Sequence, residues 1–419
     1  MKLLWGAFVN NKSFLEEHAR LTRRYFMGLV TAGGLLSGTN ALAVTQENNK
    51  KVKPEKAGAR PEPYFTPSMN FRDVSRGKPL PHSLPDEKKR EVGLTRDTWR
   101  LEVMADPDHP AKIGNPLTRA TNNALDFAGL LKLGEKHTIR FAKVMTCLNL
   151  GCPLGMGLWE GVALRDVVWL AQPEDKLRRV FYHGYHNNDP KQVFRSSLPV
   201  GRVLEDPPGL PPVILCYKLN GEWLDSERGG PVRMVVPEDY GFKSVKWLSH
   251  LFLTNLATSN DTYADQGNDV DSPMKTFAAT LSIPRTIKAG EALAVTGYAQ
   301  VGISGLSKVQ VSLEPATPAK TVNNIWKDAE LLSAPARWTG LMGETILPGT
   351  HGFDATGKPQ SWPMRLTNAH WATVLPGVPA GEYTFRCRTI DAQGIAQPLP
   401  RPFRNSGHAK IETVTVSVQ

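Results

Sequence analysis

The sequence predicts a two-part fold, an α+β domain followed by a β-sandwich, and three observations predict it. Alternating apolar and polar residues over 99–103 and 137–146 read as strands, with helix-compatible spacing between them over 123–133. A polar run from Asn260 to Ser272 then interrupts the pattern. Beyond it come short alternating segments separated by Gly and Pro, at 275–282, 292–300, 307–313, 370–375, 382–390 and 410–418. Repeated short strands with turn signals between them indicate a sandwich.

Length and composition agree with that reading. At 419 residues the chain has room for two or three domains and an ample core. Hydrophobic content of 41% and charged content of 21% belong to a soluble globular protein. The four cysteines, Cys147, Cys152, Cys216 and Cys387, form no C-x-x-C pair, so neither a disulfide framework nor a zinc site is implied. No C-x-x-C-H occurs, which excludes a covalently attached c-type haem on these residues. The formal net charge is +10. Without a dense Lys/Arg run or a recognised motif, this balance does not indicate nucleic acid. It suits a phosphate-bearing group, for which Arg and Lys are the usual partners.

At the N-terminus, Thr22-Arg23-Arg24-Tyr25-Phe26-Met27 leads into an apolar run ending at Leu36, and Ala41-Leu42-Ala43 offers a small-residue cleavage site. Paired arginines before a glycine-containing apolar run read as a twin-arginine export signal over residues 1–43. The run is too short to span a bilayer core of about 30 Å. This predicts a periplasmic or otherwise exported protein, folded around a cofactor before crossing. Residues 44–63 are polar and proline-bearing, an extended lead-in with no apolar face. The first domain is placed at 64–265 and the sandwich at 272–419.

Within the first domain, an apolar, β-branched run reaches Cys147, and Gly151, Pro153, Gly155 and Gly157 then predict an irregular loop of about ten residues. The thiol would sit on a loop held by a rigid scaffold, where chemistry concentrates, and a lone thiolate is a soft ligand suited to a redox metal. Residues 162–169 follow as a helix. His183 and His186 fall on a strand end and loop within Val180 to Asp189. Asn220-Gly221, inside the apolar stretch from Ile214 to Leu224, is a type I′ hairpin signal.

Two ordered blocks carry a resemblance. Cys147-Leu148-Asn149, a glycine-rich segment, and Trp159-Glu160-Gly161-Val162-Ala163-Leu164-Arg165-Asp166-Val167 resemble the C-x-N … W-x-G-V-x-L-R-D-V/L signature of the sulfite oxidase family. Gly229-Gly230-Pro231-Val232-Arg233-Met234-Val235-Val236-Pro237, leading to Ser244-Val245-Lys246-Trp247-Leu248, resembles that family's second block. The resemblance covers roughly residues 65 to 419, with Thr321 to Pro363 matching poorly and reading as an insertion. It implies a mixed α+β molybdopterin-binding oxidoreductase domain followed by an immunoglobulin-like β-sandwich through which family members form homodimers. It also implies a molybdenum–molybdopterin cofactor, with Cys147 as the thiolate ligand of the metal and Asn149, His183, Arg228, Arg233, Ser244 and Lys246 around the pterin. Ser75-Arg76-Gly77-Lys78-Pro79-Leu80-Pro81 resembles a segment that sets an arginine beside the metal, one residue shorter and lacking the family's Asn-His. Arg76 is therefore a candidate anion ligand and Arg72 its rival. In the sandwich, Arg404 would lie near a substrate-pocket arginine.

Two departures bear on substrate. Five residues after the thiolate, Cys152 stands where sulfite oxidases proper have arginine, and Phe194 takes the place assigned to their metal-site tyrosine. Both changes strip groups that would hold sulfite, leaving Arg72, Arg76, Arg195 or Arg404 to replace the charge. The expected activity is oxidation of sulfite or a related small sulfur compound by oxygen-atom transfer, with electrons leaving to a separate cytochrome or other carrier. The alternatives are a reductase of sulfoxide-type substrates using the same cofactor, and a metal-free exported binding protein on the same fold.

Overall fold

A computed structural model of the chain describes residues 64–259, 261–317, 325–397 and 401–419. The export signal expected over 1–43 and the lead-in over 44–63 lie outside the described residues. Among those described, eighteen strands in three sheets stand against four short α-helices, so the chain is mostly sheet rather than evenly α+β.

The first sheet runs β2 (Leu125–Asp126), β1 (Arg100–Ala105), β10 (Leu248–Thr254), β5 (Arg179–Gly184), β6 (Arg195–Pro199). The second runs β3 (Thr138–Cys147), β4 (Cys152–Ala163), β7 (Ile214–Leu219), β8 (Glu222–Trp223), with β9 (Arg233–Val235) pairing β7. The helices are α1 (Asp86–Glu91), α2 (Phe127–His137), α3 (Leu164–Leu170) and α4 (Val200–Leu204). Helix α2 begins four residues later than its apolar spacing predicts because Asp126 is its cap, accepting from the Gly129 N–H at 2.7 Å. Asn123 is occupied elsewhere, closing a turn through the Thr118 N–H at 2.9 Å and the Pro116 carbonyl at 2.9 Å. Helix α3 starts late because Val162 and Ala163 are still paired to β7.

The glycine-rich segment after Cys147 is the main correction to the sequence reading. It is a twelve-residue strand, β4, and only residues 148–151 turn between it and β3. The glycines answer close approach rather than disorder. A Cβ on Gly155 would lie 2.4 Å from the Phe71 ring, and one on Gly161 would lie 2.2 Å from the Leu215 carbonyl oxygen. The expected hairpin turn is present: Asn220 and Gly221 have φ of 56° and 88°, as a type I′ turn requires.

The third sheet is a path of eight strands: β11 (Phe277–Ser282), β13 (Leu293–Gln300), β16 (Asn368–Leu375), β15 (Lys327–Leu331), β14 (Lys308–Pro315), β17 (Gly381–Ile390), β18 (Glu412–Val418) and β12 (Thr286–Ile287). Its inward side chains, among them Val295, Val309, Trp371, Phe385 and Val416, form their own apolar core. The segment read as an insertion supplies β15 and then turns back to the first domain. There Trp338, Leu341, Ile346 and Phe353, with Met364 and Leu366 just past the segment's end, enter the larger core with Leu101, Val144 and Val162. A fully buried hydrogen bond, Thr146 Oγ1 to Gln300 Oε1 at 2.5 Å, ties the strand carrying Cys147 to β13 of the third sheet.

Candidate functional site

Cys147 is the last residue of β3 and opens, half-buried, onto a cavity of about 300 Å³. Among the described residues five cations line that cavity, Arg72, Arg76, Arg228, Arg233 and Lys246, and no carboxylate does. The cations arrive from three places: a loop at residues 71–76, the turn around β9, and the stretch before β10. Asn149, Ser244, His186, Phe194 and Tyr263 complete the polar and aromatic wall.

Burial dictates how the cations are held. Arg233 is 4% exposed, donates to the Arg228 carbonyl at 2.8 Å and the Ser244 carbonyl at 2.5 Å, and sits 5.3 Å above the Trp159 ring. Burial pulls its guanidinium down to about 10. Arg228, 3% exposed, donates to the Phe71 carbonyl at 3.0 Å, but its Nε–H has no acceptor. Lys246 donates to Asp73 at 2.8 Å, to Ser75 at 2.6 Å and to the Glu227 carbonyl at 2.6 Å. Burial, joined by Arg233, lowers its ammonium to about 8 despite the Asp73 charge. Burial pulls Asp73 the other way, yet Lys246 outweighs it and holds the carboxyl at about 2. Ser244 Oγ accepts from the Val236 N–H at 3.2 Å.

On the opposite side, Arg76 donates to the Tyr263 hydroxyl, its guanidinium 4.4 Å from the Phe194 ring centroid and 5.1 Å from that of Tyr263. Asn149 Nδ2 donates to the same hydroxyl at 3.0 Å. Burial pushes the Tyr263 phenol up, outweighing the opposing Arg76 charge. Arg72 Nη1 lies 3.8 Å from Cys152 Sγ. His186 Nδ1 donates to the Gly184 carbonyl at 2.9 Å, which leaves the other ring nitrogen as an acceptor, and burial keeps the ring neutral.

The structure thus brings Cys147, Asn149, Arg72, Arg76, Arg228, Arg233, Ser244 and Lys246 to one cavity, and leaves three expected residues outside it. His183 stacks on His250 at 4.6 Å and lines a neighbouring pocket with Glu102 and Arg119, while His186, two residues past the strand end, reaches the cavity instead. Arg404 is exposed, with its backbone N–H on the Gly267 carbonyl at 3.1 Å. Arg195 likewise stays off the cavity, over the Phe181 ring. The phenol that Phe194 lacks comes from Tyr263, edge-on to Phe194 at 4.9 Å. Tyr263 lies in the polar run read as a domain boundary, and a lone tyrosine there gives no periodic signal. Fixed by Asp261, whose carboxylate accepts the Tyr263 N–H at 3.2 Å, this run folds into the site.

Residues 93–262 match the oxidoreductase molybdopterin binding domain. Those residues form a molybdopterin-binding oxidoreductase domain of the sulfite oxidase type. It is 32% identical over 205 residues to the mitochondrial sulfite oxidase of Drosophila melanogaster, covering 47% of this chain and 32% of that protein. It is 27% identical over 255 residues to the NADPH nitrate reductase of Neurospora crassa, covering 58% of this chain and 25% of that one. The chain therefore spans only a quarter to a third of the length of these curated relatives. Among solved structures, the sulfane dehydrogenase SoxCD of Paracoccus pantotrophus shares the fold with a TM-score of 0.54 over 91% of this chain and all of that one, at 17% identity.

The cofactor of this family is the molybdenum–molybdopterin group, and the residues present fit it. A soft thiol faces a wall of cations whose carboxylate partners, Asp73 for Lys246 and Glu227 for Arg228, lie outside the cavity lining, and the Arg228 Nε–H waits without an acceptor. A buried positive field of this kind is costly until an anion enters it, and guanidinium forks are the donors a phosphate takes best.

Proposed function

We propose that this protein is an exported oxidoreductase that oxidises sulfite or a related small sulfur oxyanion and passes the electrons to a separate cytochrome or other carrier. The observation that carries this is the Cys147 thiol facing five cations on a wall without a carboxylate. When bound, the cofactor supplies oxygen-atom transfer coupled to two electrons. Cys147 is the residue to ligate the metal. Arg228, Arg233 and Lys246 are placed to hold the pterin's phosphate and ring, which leaves Arg72 and Arg76 for the substrate anion. The Tyr263 hydroxyl already accepts from Arg76 and Asn149, so its own proton remains available to a substrate oxygen.

A second reading, reduction of a sulfoxide-type substrate, is favoured by the apolar wall that Leu148, Leu150, Leu154 and Phe242 set beside these groups. Export rests on the twin-arginine pattern at Arg23 and Arg24. Homodimerisation through an immunoglobulin-like C-terminal domain rests on the family resemblance, and the eight-stranded third sheet is compatible with it.

The test is metal analysis of the full chain made in a cofactor-competent host, beside the Cys147→Ser variant. Stoichiometric molybdenum, with an altered metal spectrum in the variant, supports the reading and opens assays with sulfite and with sulfoxides. A folded sample without molybdenum overturns it.

A further inference from the structure

Cys147 and Cys152 face each other as register partners at the closed end of the β3–β4 hairpin. Directly opposed residues in an antiparallel ladder project to the same face, with Cα atoms about 4.5–5.5 Å apart. Disulfides span Cα separations of about 4.4–6.8 Å. The turn that joins the two, Leu148 to Gly151, is held by the Gly151 N–H on the Cys147 carbonyl at 2.9 Å. All four cysteines are thiols in this structure. Arg72 places its guanidinium 3.8 Å from Cys152 Sγ. Cys147 is half-buried at the cavity, so a small oxidant reaches it first.

We infer that Cys147 and Cys152 close into a reversible disulfide in chains that lack the cofactor, taking the metal-ligating thiol out of use. This rests on the reading of Cys147 as the metal ligand. The oxidant is a small disulfide. The Cys147 thiolate attacks one of its sulfurs and releases a first thiolate. Cys152 then attacks the Cys147 sulfur of the mixed disulfide and releases the second. Two protons leave the protein, and the two electrons end on the oxidant's two thiols. Cβ atoms of opposed residues sit about 4.5–5.5 Å apart, whereas a disulfide brings them to about 3.5–4.5 Å. The hairpin end must therefore tighten, and the bond is of the kind a thiol reductant reopens. With the cofactor in place the Cys147 sulfur is engaged, and closure is blocked.

The experiment treats the full chain, cofactor-free and cofactor-loaded, with oxidised glutathione and maps the products by mass. Both cysteines fall in one tryptic segment, Val144 to Arg165. In the cofactor-free protein that segment should lose two hydrogens, dithiothreitol should restore them, and denatured thiols should drop from four to two. Loaded protein should keep all four. The Cys152→Ser variant, with an unchanged circular dichroism spectrum, should instead carry a glutathione adduct on Cys147. An unchanged segment in the cofactor-free chain, an adduct on wild-type Cys147 that never resolves, or equal closure in loaded protein would each overturn the inference. If no preparation binds molybdenum, the functional reading fails by itself, and the cofactor-free arm still decides whether the disulfide forms.

Discussion

Two donors converge on the Tyr263 phenol, on the side of the cavity proposed for the substrate. Arg76 and Asn149 both point hydrogens at its oxygen. Tyr263→Phe leaves a guanidinium and an amide without that acceptor. Hydrogen bonds to charged groups are worth about 1.5–3 kcal/mol, so kcat/KM should fall by roughly ten- to a hundredfold with molybdenum content unchanged. A fall in metal content as well would move Tyr263 from substrate to cofactor. Lys246 supplies a pH test. Its ammonium titrates at about 8 in the folded chain against an ordinary 10.5. Between those values the unfolded chain holds the proton and the folded one does not, so this lysine makes stability rise with pH over that window. Phosphate binding needs the charged form, so the sign for the cofactor is opposite. Uptake by the cofactor-free protein should weaken as pH rises through 8. The Lys246→Met variant should take up less cofactor at neutral pH and lose that dependence.

The hairpin of β3 and β4 carries the thiol, and its glycines were legible as glycines but not as strand. Periodicity and breaker counts cannot reveal that Phe71, some eighty residues earlier, lies against Gly155. The same Phe71 offers its carbonyl to Arg228, so packing here and the cation beneath it are linked. Gly155→Val forces the ring aside, and overpacking of this kind costs about 1–3 kcal/mol. Thermal unfolding should show that loss, and metal content should fall with it. The strand ends are sensitive for a second reason. Thr146, next to Cys147, spends its hydroxyl on Gln300 in the third sheet. Thr146→Val leaves a buried amide oxygen unpaired, a cost of about 1–3 kcal/mol, measurable by denaturant unfolding.

The two cores of the molecule are joined by a segment that sequence comparison reads as an insertion. Trp338, Leu341, Ile346 and Phe353 belong to the first domain's core although they follow strands of the third sheet. A chain ending at Ser272 should therefore expose that core and unfold without a cooperative transition, and calorimetry of the truncated protein checks this. The sequence by itself determined the strands that alternate, among them β1, β3 and most of the third sheet, because alternation of side chains is a local property that survives in a one-dimensional reading. It also determined the thiol, the two cation blocks and the Asn220-Gly221 turn, because each is a short motif with its own chemistry. Only the tertiary structure decided that His186 rather than His183 reaches the cavity, that Arg404 does not, and that Tyr263 supplies the phenol. Those are questions of which distant segments meet, and long-range packing sets them without leaving a periodic trace along the chain.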